Sequence, residues 1–253
     1  MIQDTLNERK KMDMQLFSVF LRELVLYTEP DFKGDGESLR TAVTACWKNK
    51  KALHGHDRNG KPIYWLPPIR YIPENRPRLV ALKSGIEELE EIYVALGKNL
   101  CVDSISFKVV ATEIVDKKIP FGLFDKLVTY ISVSPWFALN QKKYEEYNLL
   151  GDRIKRINLL EKVFIGNLLA LSKGIGYFVE KPILAKLQRY KELMVEYKGI
   201  PMIAFQISVI TNFVLPAELG IGKHVSLGFG RFRSFEKCDG EMPMCQNESR
   251  REK

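Results

Sequence analysis

The order of apolar patterns along the first 115 residues constrains the fold more than any other feature of this chain. Short apolar runs indicate strands, whereas apolar residues three or four positions apart indicate helices. This part of the sequence predicts strand, helix, strand, strand, helix and strand. The six segments are Met14–Leu24, Glu37–Lys50, 62–72, 78–82, Gly85–Leu96 and 100–115. A mixed α+β unit with an antiparallel sheet is therefore expected.

This order of elements is the ferredoxin-like pattern. Pro67 and Pro68 cannot donate to a central ladder, so the segment 62–72 is predicted to be an edge or bulged strand. The turn-rich stretch Asp116–Gly122 is predicted to be the joint between two halves. The predicted domains are residues 1–117 and 118–235, and the polar, aperiodic tail 236–253 is expected to be disordered.

The second half has a similar order of elements without an obvious sequence repeat. A strand is predicted at Leu127–Val133 and a long helical region at Lys142–Lys173. The helical region carries an apolar stripe, predicted to be core, of Ile157, Leu160, Phe164, Leu168 and Leu171. Strands at Ile183–Tyr197 and Met202–Val214, a glycine-rich loop and a final strand through Phe232 follow. The whole chain thus predicts tandem ferredoxin-like (RRM-like) domains.

Composition narrows the function classes only modestly. Lysine and arginine number 39 against 31 acidic residues, giving a net charge of +8, a weak indication of a nucleic acid or anionic partner. The cysteines are scattered without a C-x-x-C pair, which favours free thiols in a reducing cytoplasm over a zinc site or disulfides. Neither apolar run, near residue 14 or at VFIGNLLAL, suits a signal peptide or a membrane span. We expect a soluble cytoplasmic protein without a metal or other cofactor.

The stretch Leu219–Phe232 reads LGIGKHVSLGFGRF and has glycines at 220, 222, 228 and 230. A phosphate-binding P-loop would require glycine where Ala217 stands and a hydroxyl residue in place of His224. The dinucleotide fingerprint would require a third glycine at Val225. Nucleotide binding through either motif is therefore not expected, and a glycine-rich hairpin without a ligand remains an alternative.

The spacing G-x-G-x5-G-x-G after an apolar strand, within NFVLPAELGIGKHVSLGFGRF, resembles the loop of CRISPR-associated RNA-binding proteins of the RAMP superfamily. It is most similar to the CRISPR repeat-processing endoribonucleases, and the two-domain order and a histidine pair after the first helix extend this resemblance. The resemblance implies that the loop lies against the RNA backbone, where glycine permits close approach and amides donate to phosphates. The RNA-binding residues that it implies are Gly220, Gly222, Lys223, Gly228, Gly230 and Arg231.

His54 and His56 lie in LHGHDRNGKPIYW, directly after the first predicted helix. Histidine exchanges protons near neutral pH, and RNA supplies its own nucleophile in the 2′-hydroxyl, so strand cleavage needs a base and an acid but no metal. Metal-dependent hydrolases with H-x-H or HD motifs require more histidines than the remaining one, His224. The resemblance implies that a histidine of the pair is catalytic, with Tyr27 and Lys61 as candidate helpers.

The favoured function is a metal-independent endoribonuclease that cuts precursor CRISPR RNA within each repeat. One alternative is a RAMP subunit that holds CRISPR RNA in an effector complex without cutting it. Another is a cyclic-phosphate phosphoesterase that uses His224 and Ser226, although the sequence matches only one of the two H-x-[ST] motifs of that class. CRISPR repeat RNA is the expected partner, with CRISPR-associated subunits as further candidates and a monomer or homodimer as the expected state.

Overall fold

The computed structural model describes residues 16–45, 66–102 and 104–235. The helices of these residues are α1 (Gly36–Ala45), α2 (Gly85–Ala95), α3 (Gln141–Leu149) and α4 (Arg153–Ile175). The strands are β1 (Phe17–Glu29), β2 (Ile69–Ile72), β3 (Arg78–Ala81), β4 (Asn99–Val102), β5 (Ile105–Ser132), β6 (Ala185–Tyr197), β7 (Ile200–Val214) and β8 (Phe232–Ser234). A 3₁₀ turn occupies Val225–Leu227.

The first half contains antiparallel strands in the spatial order β2-β3-β1-β5. With α1 after β1 and α2 after β3, this is the predicted ferredoxin-like arrangement. β2 lies at the edge of the sheet and begins at Ile69, directly after the two prolines that exclude a central position. The predicted strand 100–115 is instead a hairpin, because β4 ends at Val102 and pairs with the start of β5.

The predicted joint at Asp116–Gly122 is not a turn, because these residues lie inside the 28-residue strand β5. β5 pairs with β1 up to residue 121 and with β7 from residue 122 onward. The polar residues that suggested a turn are positions of the strand, and Arg22 donates hydrogen bonds of 2.6 and 2.8 Å to the Asp116 carboxylate. Gly122, with φ of +117°, and a register shift just after it mark the change of partner.

The second half repeats the strand order as β6-β7-β5-β8. The predicted helical region is two helices, because the chain is extended at Leu150 and Asp152 caps α4 by accepting a hydrogen bond from the Ile154 amide. Four members of the predicted apolar stripe of α4 are confirmed as core, since Leu160, Phe164, Leu168 and Leu171 are buried, whereas Ile157 is only partly buried. Where a ferredoxin-like unit has its second helix, this half has the glycine-rich loop between β7 and β8.

The two halves share one hydrophobic core. Its larger cluster joins Leu21, Ile72 and Val80 of the first half to Phe164 and Phe232 of the second. A smaller cluster lies under α1 and α2 of the first half. Among the helices in the described part of the chain, none combines the length and apolar character that a membrane span requires.

Candidate functional site

The glycine-rich loop lies at the contact between the two halves. Its glycines all have left-handed backbone conformations, with φ of +62° at 220, +94° at 222, +80° at 228 and +65° at 230. A Cβ at Gly230 would lie 1.9 Å from the Ile221 carbonyl oxygen, and a Cβ at Gly228 would lie 2.9 Å from the Tyr71 carbonyl oxygen of β2. Glycine is therefore required both by conformation and by space.

In this structure the glycines of the loop permit a close approach to the chain's own backbone. A Cβ at Gly222 would meet the Phe137 carbonyl oxygen at 2.7 Å, and one at Gly220 would meet the Phe229 carbonyl oxygen at 2.9 Å. The start of α1 adds a further contact, since a Cβ at Gly36 would lie 2.0 Å from the Leu227 carbonyl oxygen. The loop is thus packed against β2 and α1, and RNA contact by its glycines stays a prediction.

Arg231 is largely buried and engaged with protein groups. Its side chain donates to the Glu74 carboxylate at 2.8 Å and to the Ala217 carbonyl at 3.2 Å. Burial alone would raise the pKa of Glu74, but Arg231 and then Arg78 hold that pKa below its ordinary value. Arg231 thus forms an ion pair between the halves with its side chain 12% exposed, and its contact with an RNA phosphate stays a prediction.

Lys223 is the exposed cation of the loop. Its amide donates to the Phe137 carbonyl at 3.0 Å, which fixes the backbone at the base of the side chain. No carboxylate of the described residues forms an ion pair with its ammonium group. Of the two predicted loop cations, Lys223 is the one whose charge is open to a phosphate.

His224 lies in an aromatic cluster and has a left-handed backbone, with φ of 59°. Its ring centroid is 4.0 Å from that of Tyr197 and 5.1 Å from that of Phe137. Burial, followed by Lys223, lowers the pKa of His224, and its Nε2 is buried without a hydrogen-bond partner. The lowered pKa and the buried Nε2 do not favour the phosphoesterase alternative, in which this imidazole would contact a phosphate.

The predicted catalytic residues His54, His56 and Lys61 lie outside the described residues, between the end of α1 and Leu66. Their roles stay predictions.

Tyr27, the fourth predicted catalytic residue, lies on β1. Its hydroxyl donates to the Glu113 carboxylate at 2.9 Å, and the Arg76 guanidinium lies 5.2 Å from its ring centre. The hydrogen bond to Glu113 is the main cause that raises the pKa of Tyr27, whereas Arg76 lowers it. Tyr27 is therefore a hydrogen-bond donor at neutral pH rather than a base, and its described polar contacts do not include the glycine-rich loop.

Sequence reasoning missed Arg70, a buried cation that holds the loop. Arg70 is 2% exposed, and its Nε donates to the Leu219 carbonyl at 2.7 Å while Nη1 donates to the Pro67 carbonyl at 3.1 Å. Burial lowers the pKa of Arg70 to about 9. A single charged residue between Ile69 and Tyr71, within an apolar run, was the signal that could have identified it.

The turn between β6 and β7 was also missed as part of this junction. Tyr197 at the end of β6 stacks on His224, and the next residue, Lys198, places its ammonium group 3.5 Å from the Glu37 carboxylate at the start of α1. The hairpin therefore contacts both the glycine-rich loop and the helix that leads into the histidine segment. Its residues have no motif that could have indicated this contact.

Comparisons with known proteins agree with this architecture. A family model for the Cas6b N-terminal domain matches residues 21–119, and a model for the Cas6b C-terminal domain matches residues 122–235. The chain belongs to the Cas6b family. The match confirms the family resemblance inferred from the glycine-rich loop and the histidine pair, and it spans both ferredoxin-like halves.

Solved Cas6b structures superimpose on most of the chain. A crystal structure of Cas6b gives a TM-score of 0.74 at 29% identity, covering 87% of this chain and 100% of that chain. A crystal structure of the CRISPR RNA processing endoribonuclease Cas6b gives a TM-score of 0.66 at 28% identity, covering 85% of this chain and 99% of that chain. An uncharacterised protein of Methanocaldococcus jannaschii is 44% identical over 110 residues, which are 44% of this chain and 74% of that protein. The tandem ferredoxin-like fold is confirmed.

Proposed function

We propose that this Cas6b-family chain is a CRISPR RNA processing endoribonuclease that cuts precursor RNA within its repeats. The observation that carries the proposal is the match of both halves to Cas6b, including a solved Cas6b of that activity at 28% identity over 85% of the chain. The histidine pair of the sequence, His54 and His56, supplies the side chains that the chemistry requires.

In the proposed reaction the 2′-hydroxyl attacks the adjacent phosphorus in line. One histidine of the pair removes the hydroxyl proton, and the second histidine or Lys61 stabilises charge or protonates the departing 5′-oxygen. The P–O5′ bond breaks as the new P–O2′ bond forms, which yields a 2′,3′-cyclic phosphate and a 5′-hydroxyl end. Tyr27, already hydrogen-bonded to Glu113, is suited to donating a hydrogen bond rather than to accepting a proton.

Purified protein incubated with its cognate repeat RNA tests this function directly. The expected result is one cut per repeat with the product ends named above, and no cut when the scissile nucleotide carries a 2′-deoxy sugar. Binding without cutting would favour the alternative of a non-catalytic RAMP subunit. Cutting of the deoxy substrate would exclude the internal nucleophile.

RNA repeats are the proposed partner, and other CRISPR-associated subunits and a cytoplasmic location follow from the same function. Co-purification of the tagged protein from its own cells checks the partners. Recovery of repeat-derived RNA is expected, whereas a preparation free of such RNA would contradict the proposal.

Cleavage is expected to be independent of divalent metal ions, because a transesterification with an internal nucleophile needs no activated water. Single-turnover rates are measured after treatment with excess chelator and again after adding Mg²⁺. Equal rates are the expected result. Loss of cutting in chelator with recovery in Mg²⁺ would show that the proton-transfer mechanism is wrong.

The salt dependence of RNA affinity is expected to distinguish the two loop cations. Replacing Lys223 by alanine should reduce the slope of log affinity against log salt by about 0.7, the value for one phosphate contact on a single strand. Arg231→Gln should change the slope less, because this arginine is already paired with Glu74. Lys181→Ala, an exposed lysine outside the loop, is the matched control. An equal effect of all three variants would mean that Lys223 does not contact a phosphate.

A further inference from the structure

A cavity with a volume of about 410 Å³ lies between α4 and the glycine-rich loop. One wall is formed by α4 from Lys162 to Leu171, and another by the loop from Gly220 to Val225. The cavity lies beside the glycine-rich loop, which stands where a ferredoxin-like unit has its second helix. Its volume falls in the range of pockets that hold small molecules or single monomer units.

The lining of the cavity combines apolar walls with amide and ammonium groups. Val163, Leu171 and Ile221 are among the apolar residues that line the cavity. Asn167 also lines it, and Lys162 and Lys223 are exposed cations of the lining. Apolar surface beside ammonium groups matches the chemistry of a nucleobase and its phosphate.

The two lysines of the lining supply the first observation that indicates a ligand. Lys162 and Lys223 are exposed, and neither forms an ion pair with a carboxylate of the described residues. Two ammonium groups at one cavity favour an anionic ligand group such as a phosphate.

Gly166 supplies a second and independent observation. It lies in the middle of α4, where glycine is unfavourable compared with alanine. No atom lies within 4 Å of the position that a Cβ would take, and its φ is not left-handed, so neither packing nor backbone conformation explains the glycine. The residue lines the cavity, and its missing side chain keeps the cavity open.

We propose that this pocket binds one unpaired nucleotide of the RNA substrate, with the base between α4 and the loop and its phosphate near Lys162 and Lys223. The proposal rests on the proposed RNA-processing function and adds to it a base-reading subsite. RNA sequence is read mainly on unstacked bases that are turned out of the chain, which is the geometry that such a pocket requires.

The first experiment scans the repeat RNA with single abasic nucleotides and measures affinity at fixed salt. Wild-type protein is expected to lose affinity at one nucleotide outside the cleavage site, by about 5- to 150-fold, the effect of losing one well-held base. Gly166→Leu and Ala170→Phe, which each place a side chain from α4 in the pocket, should weaken binding of the intact RNA. In these two variants the same abasic nucleotide should cause no further loss.

The controls separate filling of the pocket from damage to the fold. Gly151→Leu introduces the same side chain at another glycine with open space, outside the cavity, and should leave the abasic profile unchanged.

Failure of the inference can be distinguished from failure of the proposed function. If wild-type protein cuts the repeat but the pocket variants share its abasic profile, the pocket does not bind a nucleotide of the RNA. If the protein neither binds nor cuts repeat RNA, the proposed function itself is wrong. Saturable binding of free nucleoside monophosphates, followed by NMR, with an unchanged RNA profile would identify a free nucleotide as the ligand and overturn the RNA subsite.

Discussion

Replacing His54 and His56 together with alanine is expected to slow single-turnover cleavage of the repeat RNA by at least about 10²- to 10⁴-fold, the contribution of general acid–base catalysis. Affinity for the RNA should remain within about twofold of the wild-type value, because neutral histidines release no counterions from the phosphate backbone. The measurement pairs a gel-shift titration with a quenched time course on the same RNA. Binding uses the 2′-deoxy form, which is not cut.

Three further variants make this result specific. Asn59→Ala, in the same segment, should cut at the wild-type rate. The single variants His54→Ala and His56→Ala should differ in the pH at which the rate is half-maximal, which separates the base from the acid. If the double variant cuts at the parental rate, neither histidine is catalytic, and a remaining effect of His224→Ala would then revive the phosphoesterase alternative.

Gly230→Val is expected to destabilise the protein by about 2–5 kcal/mol, the sum of left-handed backbone strain and overpacking. The new Cβ would lie 1.9 Å from the Ile221 carbonyl oxygen at a φ of +65°, and its three nearest atoms all belong to the Ile221 backbone, which cannot move aside as a flexible side chain could. Such a loss is a large part of the stability of a typical protein. Urea unfolding at equilibrium measures it, and RNA binding is expected to fall only in proportion to the folded fraction.

Gly151→Val is the matched control, because nothing lies within 4 Å of its Cβ position and its φ is not left-handed. Its stability should change by less than about 0.5 kcal/mol, as for most surface substitutions. A Gly230→Val protein of wild-type stability that fails to bind RNA would show that this glycine faces the ligand rather than the protein. The explanation of the loop from its own packing would then be wrong.

Local patterns in the sequence predicted most of the elements. The apolar stripe of α4 and the edge position of β2 were predictable because helical spacing and the two prolines act over a few residues. The course of Asp116–Gly122 was not predictable in this way. Its charged residues are typical of a turn, and only the pairing with β1, nearly a hundred residues earlier in the chain, makes them part of a strand.

The glycine-rich loop was predictable in its location but not in its contacts. The glycine spacing indicated the loop, since left-handed residues and close packing both select glycine. The partners of the loop come from β2, α1 and the β6–β7 hairpin, and no short-range pattern connects these segments. Arg231 is the clearest example of a contact that the sequence did not predict. Its charge suggested a phosphate contact, whereas in the structure it forms an ion pair with Glu74, which lies in the other half of the chain.

The course of β5 through both halves determines how the protein can move. Two domains joined by a flexible linker can move apart to admit a ligand. Here β5 is hydrogen-bonded to β1 in the first half and to β7 in the second, so it restrains the two halves relative to each other. Opening a groove between the halves would require β5 to bend or its hydrogen bonds with β1 or β7 to break. We therefore expect the surface that contacts RNA to be preformed in the free protein. Adaptation to different repeats would then come from movement of the loops and not from a change in the relative orientation of the halves.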